Sequence, residues 1–61
     1  MKVKCVLLKG DWVEFTLNGV YEAVALLSYG YLVGDFYLNN SLEVEGYESE
    51  CVFEVVNNDD Q

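Results

Sequence analysis

The segment Asn18-Gly-Val-Tyr-Glu-Ala-Val-Ala-Leu-Leu-Ser-Tyr-Gly30 constrains this chain most, because it alone reads better as helix than as strand. Glu22, Ala23, Ala25, Leu26 and Leu27 are good helix formers. Asn18 or Gly19 suits the N-cap, and Gly19 in that role places Glu22 in the first turn, near the positive end of the dipole. Gly30 suits a left-handed C-terminal cap, with Tyr31 supplying the apolar contact that accompanies it. At about 100° per residue, Val20, Ala23, Val24 and Leu27 form one apolar stripe, which predicts a helix over about 19–29. The competing reading is a hairpin. Asn18-Gly19 is a strong two-residue turn signal, and Val20–Leu27 would then pair back onto Trp12–Leu17.

On the helical reading, Tyr21, Ala25, Leu26 and Tyr29 surround Glu22 on the side away from the sheet. A helix apolar nearly all round is normally buried on more than one side. These four residues are therefore a candidate oligomer interface, unless strands or the tail cover them.

The flanking sequence alternates with period two. Lys2–Leu8 predicts a strand with Val3, Cys5 and Leu7 on one face, and Lys9-Gly10-Asp11 a turn. Trp12–Leu17 predicts a second strand with Val13, Phe15 and Leu17 inward. A three-residue loop pairs Leu7 with Val13, Cys5 with Phe15 and Val3 with Leu17, a register that gathers apolar partners on one face. Tyr31–Leu38 predicts a strand with Leu32, Phe36 and Leu38 inward. Asn39-Asn40-Ser41 then sets Leu38 against Leu42 and Phe36 against Val44. Gly46-Tyr47 fits a type II′ turn, after which Glu48–Val56 returns with Ser49, Cys51, Phe53 and Val55 inward.

The expected order is β-β-α-β-β-β, an α+β domain over residues 1–56 with a predominantly antiparallel sheet and the helix on one face. Residues 57–61 are expected to form a flexible acidic tail. The hairpin reading gives instead a small all-β barrel. Lys9-Gly-Asp-Trp-Val13 is similar to the Gly-Asp-x-Val opening of many SH3-like barrels; the resemblance covers five residues and implies no function.

Eleven carboxylates face three lysines, for a formal charge of −8, and Lys2, Lys4 and Lys9 all precede residue 10. Phosphate contacts need cationic groups, so direct nucleic-acid binding is not expected, and neither is an anionic membrane surface. A basic protein partner is favoured instead. No signal peptide or membrane-length apolar run is visible, so the expected location is cytoplasmic, in the host cell if the chain is phage-encoded. With two cysteines and no histidine, no zinc site is expected. Cys5 and Cys51 read as buried thiols, a single bridge being the alternative. Asn57-Asn-Asp-Asp lacks the pattern of a calcium loop. No metal or cofactor is expected.

The same alternation that collects apolar side chains collects acids on the opposite face. Glu43 and Glu45 lie on one predicted strand, Glu48, Glu50 and Glu54 on the next, and Glu14 on the first hairpin. The Gly46-Tyr47 turn sets Glu45 opposite Glu48 and Glu43 opposite Glu50, a repulsive arrangement. Trp12, Tyr31 and Tyr37 share that face, as does Asp35, and the aromatics could anchor a partner. Paired glutamates on an open face lack a pocket, and no serine or cysteine has a base beside it, so no catalytic residues are expected. The expected function is a small, non-enzymatic acidic binding protein that inhibits or sequesters a basic protein partner, a nucleic-acid-binding protein being one option, with DNA mimicry as a narrower form. In size and charge it is similar to accessory or anti-defence proteins of phages and mobile elements. The alternative is a homo-oligomeric structural or ligand-sequestering protein assembled through the apolar helix, as a homodimer or larger.

Overall fold

Val3 and Cys5 on one side of an alternating segment make Lys2–Leu8 a strand with one face to bury, and that strand forms as expected. The computed structural model describes residues 1–56, so the predicted tail lies outside the described residues. Strand β1 (Lys2–Leu8) is the centre of one antiparallel sheet, between β2 (Val20–Glu22) and β6 (Cys51–Val56). A second antiparallel sheet follows the order β3 (Val24–Ala25), β4 (Tyr31–Val33), β5 (Phe36–Leu38). Among the described residues there is no helix.

The two sheets are joined on both sides. β2 and β3 are one strand interrupted at Ala23, which is buried and donates its N–H to the Met1 carbonyl. On the other side, Val44 bridges Leu38 of β5 and Glu43 bridges Val52 of β6. Backbone pairing can thus be followed in a closed circuit, which leaves few donors and acceptors on open edges. Inside it lie Val3, Cys5, Phe15, Ala23, Val33, Leu38, Val44, Cys51 and Phe53. A core this small leaves a chain of this length a thin stability margin.

The expected α+β architecture is therefore corrected to all-β, and the barrel-like alternative fits better. The segment read as a helix over 19–29 is extended for most of its length. An isolated helix that short is marginal in water, because nucleation is costly. Here β1 and β4 offer cross-strand partners to the same residues, with Val3 opposite Tyr21 and Val24 opposite Leu32. The proposed stripe does not exist: Ala23 is buried, whereas Val20, Val24 and Leu27 are exposed. Asn18 serves neither as cap nor as hairpin tip. It sits with φ +70 in the turn Thr16–Gly19, closed by the Gly19 N–H on the Thr16 carbonyl, a type II site that favours Asn or Gly.

The first hairpin is also corrected. Trp12–Leu17 is irregular, and both edges of β1 are taken by β2 and β6. Val13 is 91% exposed and Leu17 is exposed, while Phe15 turns inward. In β1 itself, Cys5 pairs with Phe53 but Leu7 with Val52, so Val6 is an extra residue, a β-bulge. Beyond it the inward side chain is Leu8, which packs on the core, rather than Leu7.

Downstream, strand parity holds in β5 and at Cys51 and Phe53 but not in β4, where Val33 is buried and Tyr31 packs on the core while Leu32, expected inward, does not; registers slip as well. Tyr31–Leu38 is two strands, not one, with Val33 opposite Phe36 around Gly34-Asp35. Gly34 has φ +59, as the first central position of a type II′ turn requires. The loop after Leu38 comprises 40–42, one residue later than expected, so Leu38 faces Val44 rather than Leu42. Gly46 is used differently as well. It sits with φ +88 in the turn Val44–Tyr47, and Val44 pairs with Cys51 across a longer 45–50 loop. Ser49 and Val55 are consequently exposed rather than inward.

Gly30 and Gly34 both have positive φ, but their surroundings differ. A Cβ on Gly30 would run into the Leu38 carbonyl, whereas one on Gly34 meets nothing within 4 Å. Gly30→Ala is expected to cost on the order of 3 kcal/mol and Gly34→Ala about 1 kcal/mol, as read from urea midpoints.

The Glu22 carboxylate accepts bonds from Lys2 Nζ and the Met1 ammonium, each at 3.0 Å. The hydrogen bond and charge of Lys2, then those of the amino terminus, hold its pKa below the ordinary 4.5. Its contribution to stability is complete above that ordinary value and is lost as pH falls through the depressed one. Glu22→Gln is expected to flatten the acid limb of a stability–pH curve in this window and to leave the neutral region's slope unchanged.

Candidate functional site

Residues 9–19 have no strand partner for most of their length, and aromatic packing holds them instead. Phe15 inserts between the sheets, its ring centroid 5.0 Å from Phe53, 5.2 Å from Phe36, 5.2 Å from Tyr21 and 5.9 Å from Trp12. Trp12 in turn meets Tyr47 edge-on at 5.1 Å and Phe36 at 5.9 Å. Edge-to-face contacts of this kind add to the burial of the rings themselves. The Trp12 indole N–H donates to the Lys9 carbonyl at 2.7 Å, and the Thr16 N–H donates to the Tyr21 hydroxyl at 2.8 Å. These two bonds fix the ends of an aromatic row.

Two hollows open along this row. One, of about 280 Å³, is walled by Trp12, Phe36 and Tyr47 and rimmed by Asp11, Glu14 and Glu50, with Lys9 at its edge. The other, of about 380 Å³, is walled by Phe15, Tyr21, Val33 and Phe36, with Glu14, Glu22 and Asp35 beside it. Glu14 and Phe36 line both, so the two hollows lie side by side along one aromatic and acidic groove. Aromatic faces and carboxylates together suit an organic cation, which the ring quadrupole and the negative charges attract alike.

This grouping differs from the expected acidic face. Of the residues expected to bind a partner, Glu14, Glu50 and Trp12 line the groove. Glu43, Glu45, Glu48, Glu54, Tyr31 and Tyr37 are not among its walls. The two glutamate rows are absent because the register moved. Glu43 faces Val52 and accepts a bond from Asn39 Nδ2 at 2.9 Å, while Glu45, Glu48 and Glu50 lie in the 45–50 loop. Glu54 stands opposite Lys4, an attractive cross-strand pairing rather than a repulsive one. Among the residues of the expected oligomer interface, Tyr21 packs against Phe15 and Phe53, and Leu26 is half-buried. Ala25 and Tyr29 are exposed.

Sequence reasoning missed Asp11, Phe36 and Tyr47 as groove residues and placed Asp35 on the acidic face without a role. Gly34-Asp35 was a legible hairpin signal, and reading it would have turned Phe36 back toward Trp12. Nothing local marks Tyr47, which reaches Trp12 only through the longer loop.

Cys5 and Cys51 are free and buried, with the Cys5 thiol 3.6 Å from the Leu7 carbonyl. Burial raises both pKa values. Cys51 is pushed up to about 12 by burial first and by neighbouring Cys5 second. Among the described residues, no group of His, Cys, Asp and Glu is arranged to hold a metal ion, and no helix is long and apolar enough to cross a membrane. No protein family, curated protein or solved structure matches the chain.

Protonated, buried thiols react only when the fold opens. Alkylation by iodoacetamide at pH 8 is expected to be slow in the native protein and to modify both cysteines promptly in denaturant, as counted by intact mass.

Proposed function

We propose that this chain is a small non-enzymatic binding protein that sequesters a basic protein partner, gripping a cationic side chain in the groove beside Trp12. The observation that carries this reading is the corner formed by Trp12 and Tyr47 in a hollow that Asp11, Glu14 and Glu50 also line. The formal charge of −8 supports it by steering a basic partner toward the surface. Location in the cytoplasm, and an inhibitory role such as that of a phage or mobile-element accessory protein, belong to the same proposal. The ordered glutamate face is no part of it, since the chain's registers do not build one.

A second reading, self-association, draws support from a different place. Leu27 is fully exposed, and Val24 and Tyr29 beside it in sequence are each more than half exposed. Such residues on the segment between β3 and β4 offer apolar area to a second copy. Without a helix, this assembly would use β3 and the loop after it, which hold Ala25, Leu26 and Tyr29 of the four residues first expected, together with Val24 and Leu27.

Salt separates the two readings. Capture of a cation by carboxylates weakens as ionic strength rises, whereas association of two chains of charge −8 strengthens as their repulsion is screened. Titration with oligolysine, followed through the single tryptophan, is expected to perturb Trp12 emission at low salt. The Glu14→Gln/Glu50→Gln variant should need severalfold more ligand. Unchanged emission, or equal binding by this variant, overturns the first reading. For the second, sedimentation at micromolar concentration should show an oligomer that Leu27→Ser dissociates; a monomer at both low and high salt overturns it.

A further inference from the structure

Charge is distributed unevenly between the two sheets. Asp35, in the β4–β5 turn, is the one charged residue between Ala23 and Leu42, the stretch that supplies all three strands of the second sheet. In that sheet Val24 stands opposite Leu32, and Leu32 opposite Tyr37. The residues that alternate with them, Ala23, Tyr31, Val33, Phe36 and Leu38, are buried or packed on the core. Strand parity therefore turns Val24, Leu32 and Tyr37 outward as one row across the sheet. Val24 is 56% and Tyr37 57% exposed, and Leu32 between them is half-buried without packing on the core. Leu27 and Tyr29, in the connection between β3 and β4, add exposed apolar area at the end of the same hairpin. An acid borders the row at either end. Glu22, two residues before Val24, is paired with Lys2 and the Met1 ammonium, and Glu45 follows β5, its N–H bonded to the Tyr37 carbonyl.

Resting on the self-association reading above, we propose that the outer face of the second sheet is a two-fold interface with a second copy of this chain, Leu32 packing at the axis and Val24 of each copy against Tyr37 of the other. Charge selects this occupant. Another chain of charge −8 is repelled wherever carboxylates would line up, and the row from Val24 to Tyr37 holds none, whereas a basic partner finds its counter-charges at the groove. The row also complements itself. It runs from a small side chain through a middle one to a large one, so a two-fold rotation lays small on large, as an isologous contact requires. Sheets packed face to face interdigitate in this way at a separation of about 10 Å. A row three strands wide buries too little surface for an obligate dimer, so the association is a weak one.

The test uses full-length Val24→Lys and Tyr37→Glu, alone and mixed in equal amounts, with oligomeric state read by sedimentation at micromolar concentration. Both sites are exposed, and unchanged Trp12 emission verifies the fold of each variant. The unsubstituted chain is expected to form dimers, and each variant alone to dimerise at least about tenfold more weakly. Their mixture should recover the dimer, because only the mixed pair sets the introduced ammonium against the introduced carboxylate while its other Val24–Tyr37 contact is intact. Val13→Lys and Val13→Glu, the same charge changes at an exposed apolar site outside this sheet, should leave the dimer in place. If either variant stays dimeric, if the Val13 variants dissociate as readily, or if the mixture remains monomeric, this interface is wrong while self-association stands. If the unsubstituted chain is a monomer at low and high salt, self-association fails and the interface with it.

Discussion

The ring of Phe15 is the contact on which most of this structure depends. It comes from a segment with little backbone pairing of its own, yet it reaches the space between the two sheets and meets Trp12, Tyr21, Phe36 and Phe53. A buried phenylalanine contributes roughly 1.5–3 kcal/mol relative to an exposed one, a large share of what a domain this size can hold in reserve. Phe15 also determines where its neighbours go. With it inside, Val13 and Thr16 face water and Trp12 is carried to the rim of the core. The groove is therefore a by-product of filling the core from a loop.

Core filling explains which parts of the fold were legible in the sequence. Val3, Cys5, Leu38, Cys51 and Phe53 were expected inward and are buried, because strand parity survives a register shift of two residues. What period-two alternation cannot supply is the partner. Trp12–Leu17 alternates as well as β1 does, but β6 returns from the far end of the chain and occupies the edge that a local hairpin would have used. The helix expectation failed for a related reason. Ala, Leu and Glu favour helix by tenths of a kcal/mol each, whereas pairing with β1 and β4 satisfies backbone groups outright and draws Ala23 into the core.

The candidate site was legible only in part. Glu14, Glu50 and Trp12 were singled out for their charge and aromatic character, which composition and parity reveal. Their convergence depends on the 45–50 loop and on the Gly34-Asp35 turn, and both were read with the wrong reach. Acidic residues consequently play different parts. Asp11, Glu14, Asp35 and Glu50 accompany the aromatic row, Glu22 beside them is paired with Lys2, Glu54 stands opposite Lys4, and Glu43 and Glu48 accept hydrogen bonds from Asn39 and Gly46.

The closed circuit of backbone pairing bears on how such a chain stays out of aggregates. The sequence is more than half apolar and has no proline, the residue that natural sheets often use to blunt an edge. Cys51-Val-Phe-Glu-Val-Val56 would template cross-β stacking if it were freed. Its protection is topological: β1 covers one side, and Leu42–Val44 part of the other. Loosening the narrow bridges at Glu43 and Val44 would open one edge of that strand while its pairing with β1 remained, so local fraying is enough to bare an unpaired apolar edge.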